Sequence, residues 1–383
     1  MNMIKILLLT SLAILCLSVG QIFRVFALYT STTTIANSGN IIKIETSSRF
    51  QKFIVYYGPQ SPDRVIPEYI EHVAKFDLVV TEFGIGNYVY QIKQSNPNTI
   101  VLGYKDAIAM HTYYEDYSVV NAHEDWFIHD TDGNRLVHWK CGWYCMDPGN
   151  QGWRQHFANY VKQKIDLYGF DGVFIDDCWN QLWKYFFTVP EDKVPDYPNW
   201  QQEMGEFLTY VKSQLNPKLV IINTPNTEEY VAVVDGKNDE KFLKNKETFW
   251  YIDNLAKISA QGKYYLALAS SQEDTQESMM YCLCGYLLGV NGSKAYFGWW
   301  NIWSDSKGYY PEMDKINALG SPTNAYYSYQ SVYARDFENG KVLLNPTTSS
   351  YTVNLNSEYK TLDGQTVSSV ILNAHSGIIL VKP

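Results

Sequence analysis

From Phe53 onward the chain repeats one unit: a short apolar run that reads as a strand, then an amphipathic stretch that reads as a helix. The runs are Phe53–Tyr57, Asp77–Phe83, Thr99–Lys105, Gly172–Asp176, Leu219–Asn223, Tyr230–Val234, Tyr264–Ala269 and Ala295–Trp299. They are nearly continuous in Val, Ile, Leu, Tyr and Phe, as strands covered on both faces must be. The helical stretches include Arg64–Lys75, Trp153–Tyr168, Trp200–Gln214, Lys241–Gln261 and Gln276–Gly289. Asn96-Pro97-Asn98 and Asn216-Pro217 fall where a helix has to stop before a strand. Eight such units predict an α/β chain closed as a (β/α)8 TIM barrel over residues 51–330. An open doubly wound sheet would need a glycine-rich phosphate turn after the first strand, and Tyr57-Gly58-Pro59-Gln60 is not one.

The flanks read differently. After about residue 330 short alternating runs are separated by Glu338-Asn339-Gly340 and Asp363-Gly364. That texture predicts a small C-terminal antiparallel β-domain over 331–383, a sandwich packed on the barrel and mainly stabilising it. At the other end Lys5 precedes the apolar run Ile6–Val19, which Gly20, Gln21 and Arg24 interrupt. Residues 1–28 therefore read as a signal peptide, with Val25-Phe26-Ala27 as the cleavage site, or as an uncleaved anchor. Either places the remainder outside the cell, secreted or held on the extracellular face of the membrane. Residues 29–50, rich in Ser, Thr and Asn, read as a flexible spacer. The stretch Asp106–Gly152 is too long for an ordinary strand–helix connection. It carries His111, Trp126, Trp139, Trp143 and Tyr144, and reads as the wall of a binding cleft.

Composition narrows the function. The net charge is −9 with no Lys/Arg block, which argues against binding nucleic acid or an acidic lipid surface; the N-terminal segment is the one expected membrane contact. Aromatic residues make up 15 %, including 31 Tyr and 11 Trp, an excess suited to a ligand with flat C–H faces such as a sugar. No Gly-x-Ser-x-Gly elbow, His-Glu-x-x-His or phosphate loop occurs. No cysteine or histidine spacing suggests zinc, so neither metal nor cofactor is expected. Cys141 and Cys145 are spaced to bridge within a loop, an export-compatible expectation. The sequence carries no signal for oligomeric state.

Reactive groups of barrel enzymes sit at the C-terminal ends of the strands. The fourth run, Gly172-Val173-Phe174-Ile175-Asp176-Asp177, ends in two carboxylates. Alternation puts Asp176 on the face of Phe174 and Asp177 on the other, which favours Asp176 as the catalytic group. Glycosidic hydrolysis by paired carboxyls needs a partner from another strand end. Glu240, after the sixth run, is the candidate acid, expected to have a raised pKa, with Asp235 and Asp239 as competitors. Substrate-binding candidates are Tyr57, Glu82, Lys105, Asp106, Asp177 and Asn223, with Lys105 or Tyr57 expected to hold Asp176 ionised. Trp179, Trp299 and Trp300, near Trp183 and Trp303, are the candidate stacking platform. Such a site would take an oligosaccharide or polysaccharide. A non-catalytic carbohydrate-binding barrel would share the aromatic cleft and lack the facing carboxyls.

Gly169-Phe170-Asp171-Gly172-Val173-Phe174-Ile175-Asp176-Asp177, preceded by Met146-Asp147-Pro148-Gly149-Asn150 and Trp153, resembles the barrels called hypothetical glycosyl hydrolase family 15. Val234-Asp235-Gly236 to Glu240-Lys241-Phe242 is similar to their sixth-strand signature. More distantly the chain resembles endo-α-1,4-polygalactosaminidase and α-galactosidase barrels. In the α-galactosidase-like barrels a fourth-strand Asp is the nucleophile and a sixth-strand carboxylate the acid/base. The resemblance therefore implies a retaining glycosidase using Asp176 and Glu240.

Overall fold

The computed structural model describes residues 49–56, 67–224, 228–243, 249–270, 274–300 and 307–383, with the strands Thr32–Asn37 and Asn40–Glu45. The barrel strands are β1 (Phe53–Tyr56), β2 (Leu78–Glu82), β3 (Ile100–Asp106), β4 (Gly172–Asp176), β5 (Leu219–Asn223), β6 (Gly236–Phe242), β7 (Tyr264–Ala269) and β8 (Ala295–Trp299). They pair parallel in sequence order, and a bridge from Lys52 to Phe297 closes β8 onto the start of β1. Around them run α1 (Pro67–Val73), α2 (Val89–Ser95), α3 (Gln151–Tyr168), α4 (Trp200–Leu215), α5 (Glu228–Val233), α6 (Phe249–Ala260) and α7 (Gln276–Gly289).

The strand period of two sorts the apolar residues into two cores. Phe53, Val55, Leu78, Val80, Leu102, Phe174, Ile221, Leu266, Leu268 and Tyr296 fill the lumen. The alternating residues, Ile54, Val79, Val101, Val173, Ile175, Val220 and Ile222 among them, face outward under the helices. Each such side chain fully buried is worth about 1.5–3 kcal/mol, which is why register cannot slip by one residue here. Helix α3 begins where the Asn150 side chain accepts the Trp153 N–H at 3.1 Å and ends at Gly169, whose φ of 77° is open to glycine at little steric cost.

Three carboxylates tie the closed, N-terminal end of the barrel. Asp77, Asp171 and Asp235 each precede a strand and accept the N–H of Lys52, Val101 and Val220 at 2.8, 2.8 and 2.7 Å. Asp235 also takes Lys212 at 2.7 Å, so it lies at the opposite end from the mouth. That removes it as a candidate acid.

The sixth strand departs from its sequence expectation. Tyr230–Val234 lies not in a strand but largely in the short helix α5, and β6 is the polar run Gly236–Phe242. Within the stretch expected to be a flexible spacer, the strands Thr32–Asn37 and Asn40–Glu45 pair antiparallel, Thr32 with Glu45 and Asn37 with Asn40. β-Branched Thr and Ile runs either side of Ser38-Gly39 carry the hairpin signal that composition alone hid. Residues 1–28 lie outside the described residues. Among the described residues no helix is long and apolar enough to cross a membrane. Cys141, Cys145, Cys178, Cys282 and Cys284 are all free. The expected Cys141–Cys145 bridge does not form, because Cys145 is buried in the core and Cys141 is exposed.

The C-terminal strands β9 (Tyr327–Tyr329), β10 (Val332–Phe337), β11 (Gly340–Asn345), β12 (Tyr351–Thr361), β13 (Thr366–Leu372) and β14 (Ser376–Val381) form one antiparallel sheet in the order 9-10-11-14-12-13. It is one curled sheet, where a two-sheet sandwich was expected. Phe337, Val342, Leu344 and Ile379 join the core with α7, while Val332, Leu343, Val353, Leu355 and Leu380 make a second core on the other face.

Candidate active site

Parity carries Asp176 from the Phe174 side of β4 into the barrel mouth. Three donors meet its carboxylate: the Tyr104 hydroxyl at 2.7 Å, the Asn223 side-chain amide at 2.8 Å and the Asp177 backbone N–H at 2.8 Å. On β6, Asn238 and Glu240 share the mouth-facing parity. The Asn223 amide nitrogen also donates to Glu240 at 3.1 Å, and the Asn238 amide donates to the Asn223 oxygen at 3.2 Å, which sets the Asn223 orientation. Two carboxylate oxygens held by one nitrogen lie within about 6 Å of each other, so the two carboxyls meet across the mouth. Asp239, one residue off parity, faces outward: it accepts the Tyr265 hydroxyl at 2.5 Å and lies 3.5 Å from Lys237.

The remaining candidates separate into those at the mouth and those turned elsewhere. Glu82 ends β2 at a cavity of about 280 Å³ that Tyr104, Tyr113, Tyr114 and Tyr160 also line. Trp300 is half-buried and touches the lumen core. Lys105 lines that cavity but does not hold Asp176. Its ammonium is buried 2.9 Å from both oxygens of Asp116, with the Tyr114 and Tyr160 rings each 4.7 Å away. Asp106 and Asp177 bind each other instead of facing the mouth. Asp106 takes the N–H groups of Ile108 and Ala109, at 3.0 and 2.7 Å, and the Asp177 carboxyl donates to it. Burial and the neighbouring carboxylates push Asp106 up to about 7 and raise Asp177 well above the usual carboxylate range. Asp177 has a φ of 50° and accepts the Trp179 indole N–H at 2.9 Å, the bend that turns its own N–H back onto Asp176.

Two of the three tryptophans expected to form a stacking platform are in the core. Trp179 packs between Trp143 and Phe186, at 5.9 and 5.2 Å, and Trp299 lies under α7 with its N–H on Asp274 at 2.6 Å. Both indoles found acceptors inside the fold, so both could be buried whole. Tyr57 and Trp303 lie outside the described residues. The excursion after β3 is a wall as expected, although Trp126 and Trp143 are buried and the cavity is faced by Tyr113 and Tyr114. Tyr104, Asn238 and Tyr113 were missed from the sequence. Strict alternation along β3 would have selected Tyr104 over Lys105.

Burial pushes the Glu82 carboxyl up to about 7, against the attraction of Lys105. With a folded pKa above the unfolded value, its contribution is intact below about 4.5 and is lost as pH rises through 7. Glu82→Gln should therefore match the parent in thermal unfolding near pH 4.5 and exceed it at pH 8, by about 3 kcal/mol. Equal stability at both pH values would show that the carboxyl is not strained.

The profile of hypothetical glycosyl hydrolase family 15 matches residues 93–341, from α2 through every strand that supplies Asp176, Asn223 and Glu240. The chain belongs to that family. By family, then, this protein is a glycoside hydrolase. Its fold is also that of solved amylases. A noncanonic maltogenic α-amylase, AmyB of Thermotoga neapolitana, superposes with a TM-score of 0.53 at 13 % identity, covering 86 % of this chain and 98 % of that one. An Anoxybacillus α-amylase gives 0.50 at 13 %, covering 87 % and 98 %. The Geobacillus thermoleovorans α-amylase complexed with acarbose gives 0.50 at 11 %, covering 87 % and 99 %. At these identities the likeness is one of fold. No curated protein matches this glycosyl hydrolase family member.

Proposed function

We propose that the protein is a retaining glycoside hydrolase acting on an extracellular glycan, with Asp176 as nucleophile and Glu240 as acid/base. The observation that carries this reading is the Asn223 amide bridging the two carboxylates. In the first step an Asp176 oxygen attacks the anomeric carbon while Glu240 protonates the departing glycosidic oxygen. The C–O bond breaks and a glycosyl ester forms on Asp176. In the second, Glu240 takes a proton from water, which attacks the same carbon and releases Asp176 with configuration retained. Tyr104, Asn223 and the Asp177 N–H hold the Asp176 carboxyl in position for attack.

The apolar segment after Lys5 supports export, as a cleaved signal peptide or as an anchor on the outer face of the membrane. Incubation of the purified protein with a panel of α- and β-linked polysaccharides, followed by proton NMR, tests the reading directly. The expected result is cleavage of at least one with the initial product in the substrate's anomeric configuration. Initial product of the opposite configuration would overturn retention, and binding without turnover would turn the reading to a non-catalytic carbohydrate-binding barrel.

A further inference from the structure

Glu82 is costly where it stands. It is largely buried at the end of β2, and it has no hydrogen-bond or ion-pair partner among the described residues. The nearest cation, Lys105, is committed to Asp116 through both carboxylate oxygens. Buried carboxyls are ordinarily satisfied inside a fold, and one left open onto a cavity is a place where a ligand supplies the missing donors. The cavity beside it holds about 280 Å³, near the lower end of small-molecule sites and of a size for one sugar ring.

Its walls are aromatic. Tyr113 is 60 % exposed, with His111 stacked at 4.6 Å and Tyr114 edge-on at 5.2 Å. The lining also includes Tyr104, whose hydroxyl reaches Asp176, so the cavity adjoins the catalytic mouth. Hydroxyl donors aimed at a carboxylate, with a flat C–H face set against a tyrosine ring, are the recognition chemistry of a pyranose.

We propose that this cavity is a sugar subsite next to the point of cleavage, in which Glu82 accepts hydrogen bonds from neighbouring ring hydroxyls and Tyr113 stacks on the ring face. The inference rests on the glycosidase reading and adds to it the residues that recognise the chain beyond the reacting sugar. Neither Glu82 nor Tyr113 touches the bond that breaks, so their effect depends on substrate length.

The test compares wild type, Glu82→Gln and Tyr113→Ala on gluco-, galacto- and N-acetylhexosamine oligosaccharides of graded length, with matched single-sugar aryl glycosides. Where an oligomer binds without being cleaved, affinity by ligand-observed NMR replaces KM. Each variant should raise KM or Kd by about tenfold for oligomers long enough to fill the cavity, with kcat and the aryl glycosides little changed. Loss of binding in a Glu82→Gln protein that is at least as stable as wild type excludes misfolding as the cause. Unchanged KM in both variants at every length, with cleavage intact, would overturn the subsite and leave the hydrolase reading standing. Failure of wild type to bind or cleave any oligomer would overturn both.

Discussion

Asp176→Asn should fold as wild type does and lose several orders of magnitude in kcat, because the amide preserves the shape while removing the attacking oxygen's charge. The Tyr104 and Asn223 donors that now hold a carboxylate would meet one oxygen and one NH2 group, so some reorientation is expected alongside the chemical loss. Glu240→Gln removes the proton donor and should show a different signature. Substrates with good leaving groups need little protonation, so the first step on an activated aryl glycoside should survive better than on a natural linkage. Azide, a nucleophile needing no general base, should then speed release of the glycosyl enzyme in Glu240→Gln and leave Asp176→Asn unrescued. Near-normal turnover on natural linkages in either variant would remove that residue from the pair. Steady-state kinetics with both substrate types, with and without azide, separates the two roles.

The second large effect is on stability. Arg335→Ala is expected to cost about 3–5 kcal/mol, read by urea or thermal unfolding. Arg335 leaves β10 fully buried and donates through one nitrogen to the carbonyls of Leu287, Leu288 and Val290, at 3.0, 2.9 and 2.7 Å, and through its Nε to Asn324 at 2.8 Å. These are acceptors in and just beyond the last turn of α7, where an intrahelical donor is missing and the helix dipole favours a cation. Burial draws the guanidinium down to about 9, which still leaves it charged at neutral pH. One side chain therefore caps a barrel helix from the C-terminal sheet. Arg335→Lys should recover only part of the loss, since a single ammonium cannot span both the helix end and Asn324. A cost below about 1 kcal/mol for the alanine variant would mean that water satisfies those carbonyls, and that apolar packing alone fastens the sheet.

The barrel was legible in the sequence because most of its strands obey a local rule. Gly172–Asp176, Leu219–Asn223, Tyr264–Ala269 and Ala295–Trp299 coincide with their apolar runs, residue for residue. A strand sandwiched between lumen and helices has to be apolar on both sides, and nothing distant can alter that. The same alternation brought Asp176 to the mouth, since Phe174 has to enter the lumen. Export was likewise a local reading, of Lys5 and the run that follows it, and no described residue adds to it.

Tertiary structure decided what locality could not. The β-branched run Tyr230–Val234 has the stronger strand propensity, yet much of it lies in a helix, and the charged run beside it became β6. Lys237 and Asp239 are tolerated there because they lie 3.5 Å apart and Asp239 also takes the Tyr265 hydroxyl, a residue on the next strand. Their off-parity neighbours Asn238 and Glu240 are free to face the mouth. Asn223 carried no sign of joining two carboxylates, Lys105 none of being spent on Asp116, and Trp179 and Trp299 none of finding acceptors inside the core. Sequence determines which side chains share a face, through a period of two that sterics impose on every strand. Which polar groups satisfy one another across strands depends on partners far away in the chain, and that was settled only when the barrel closed.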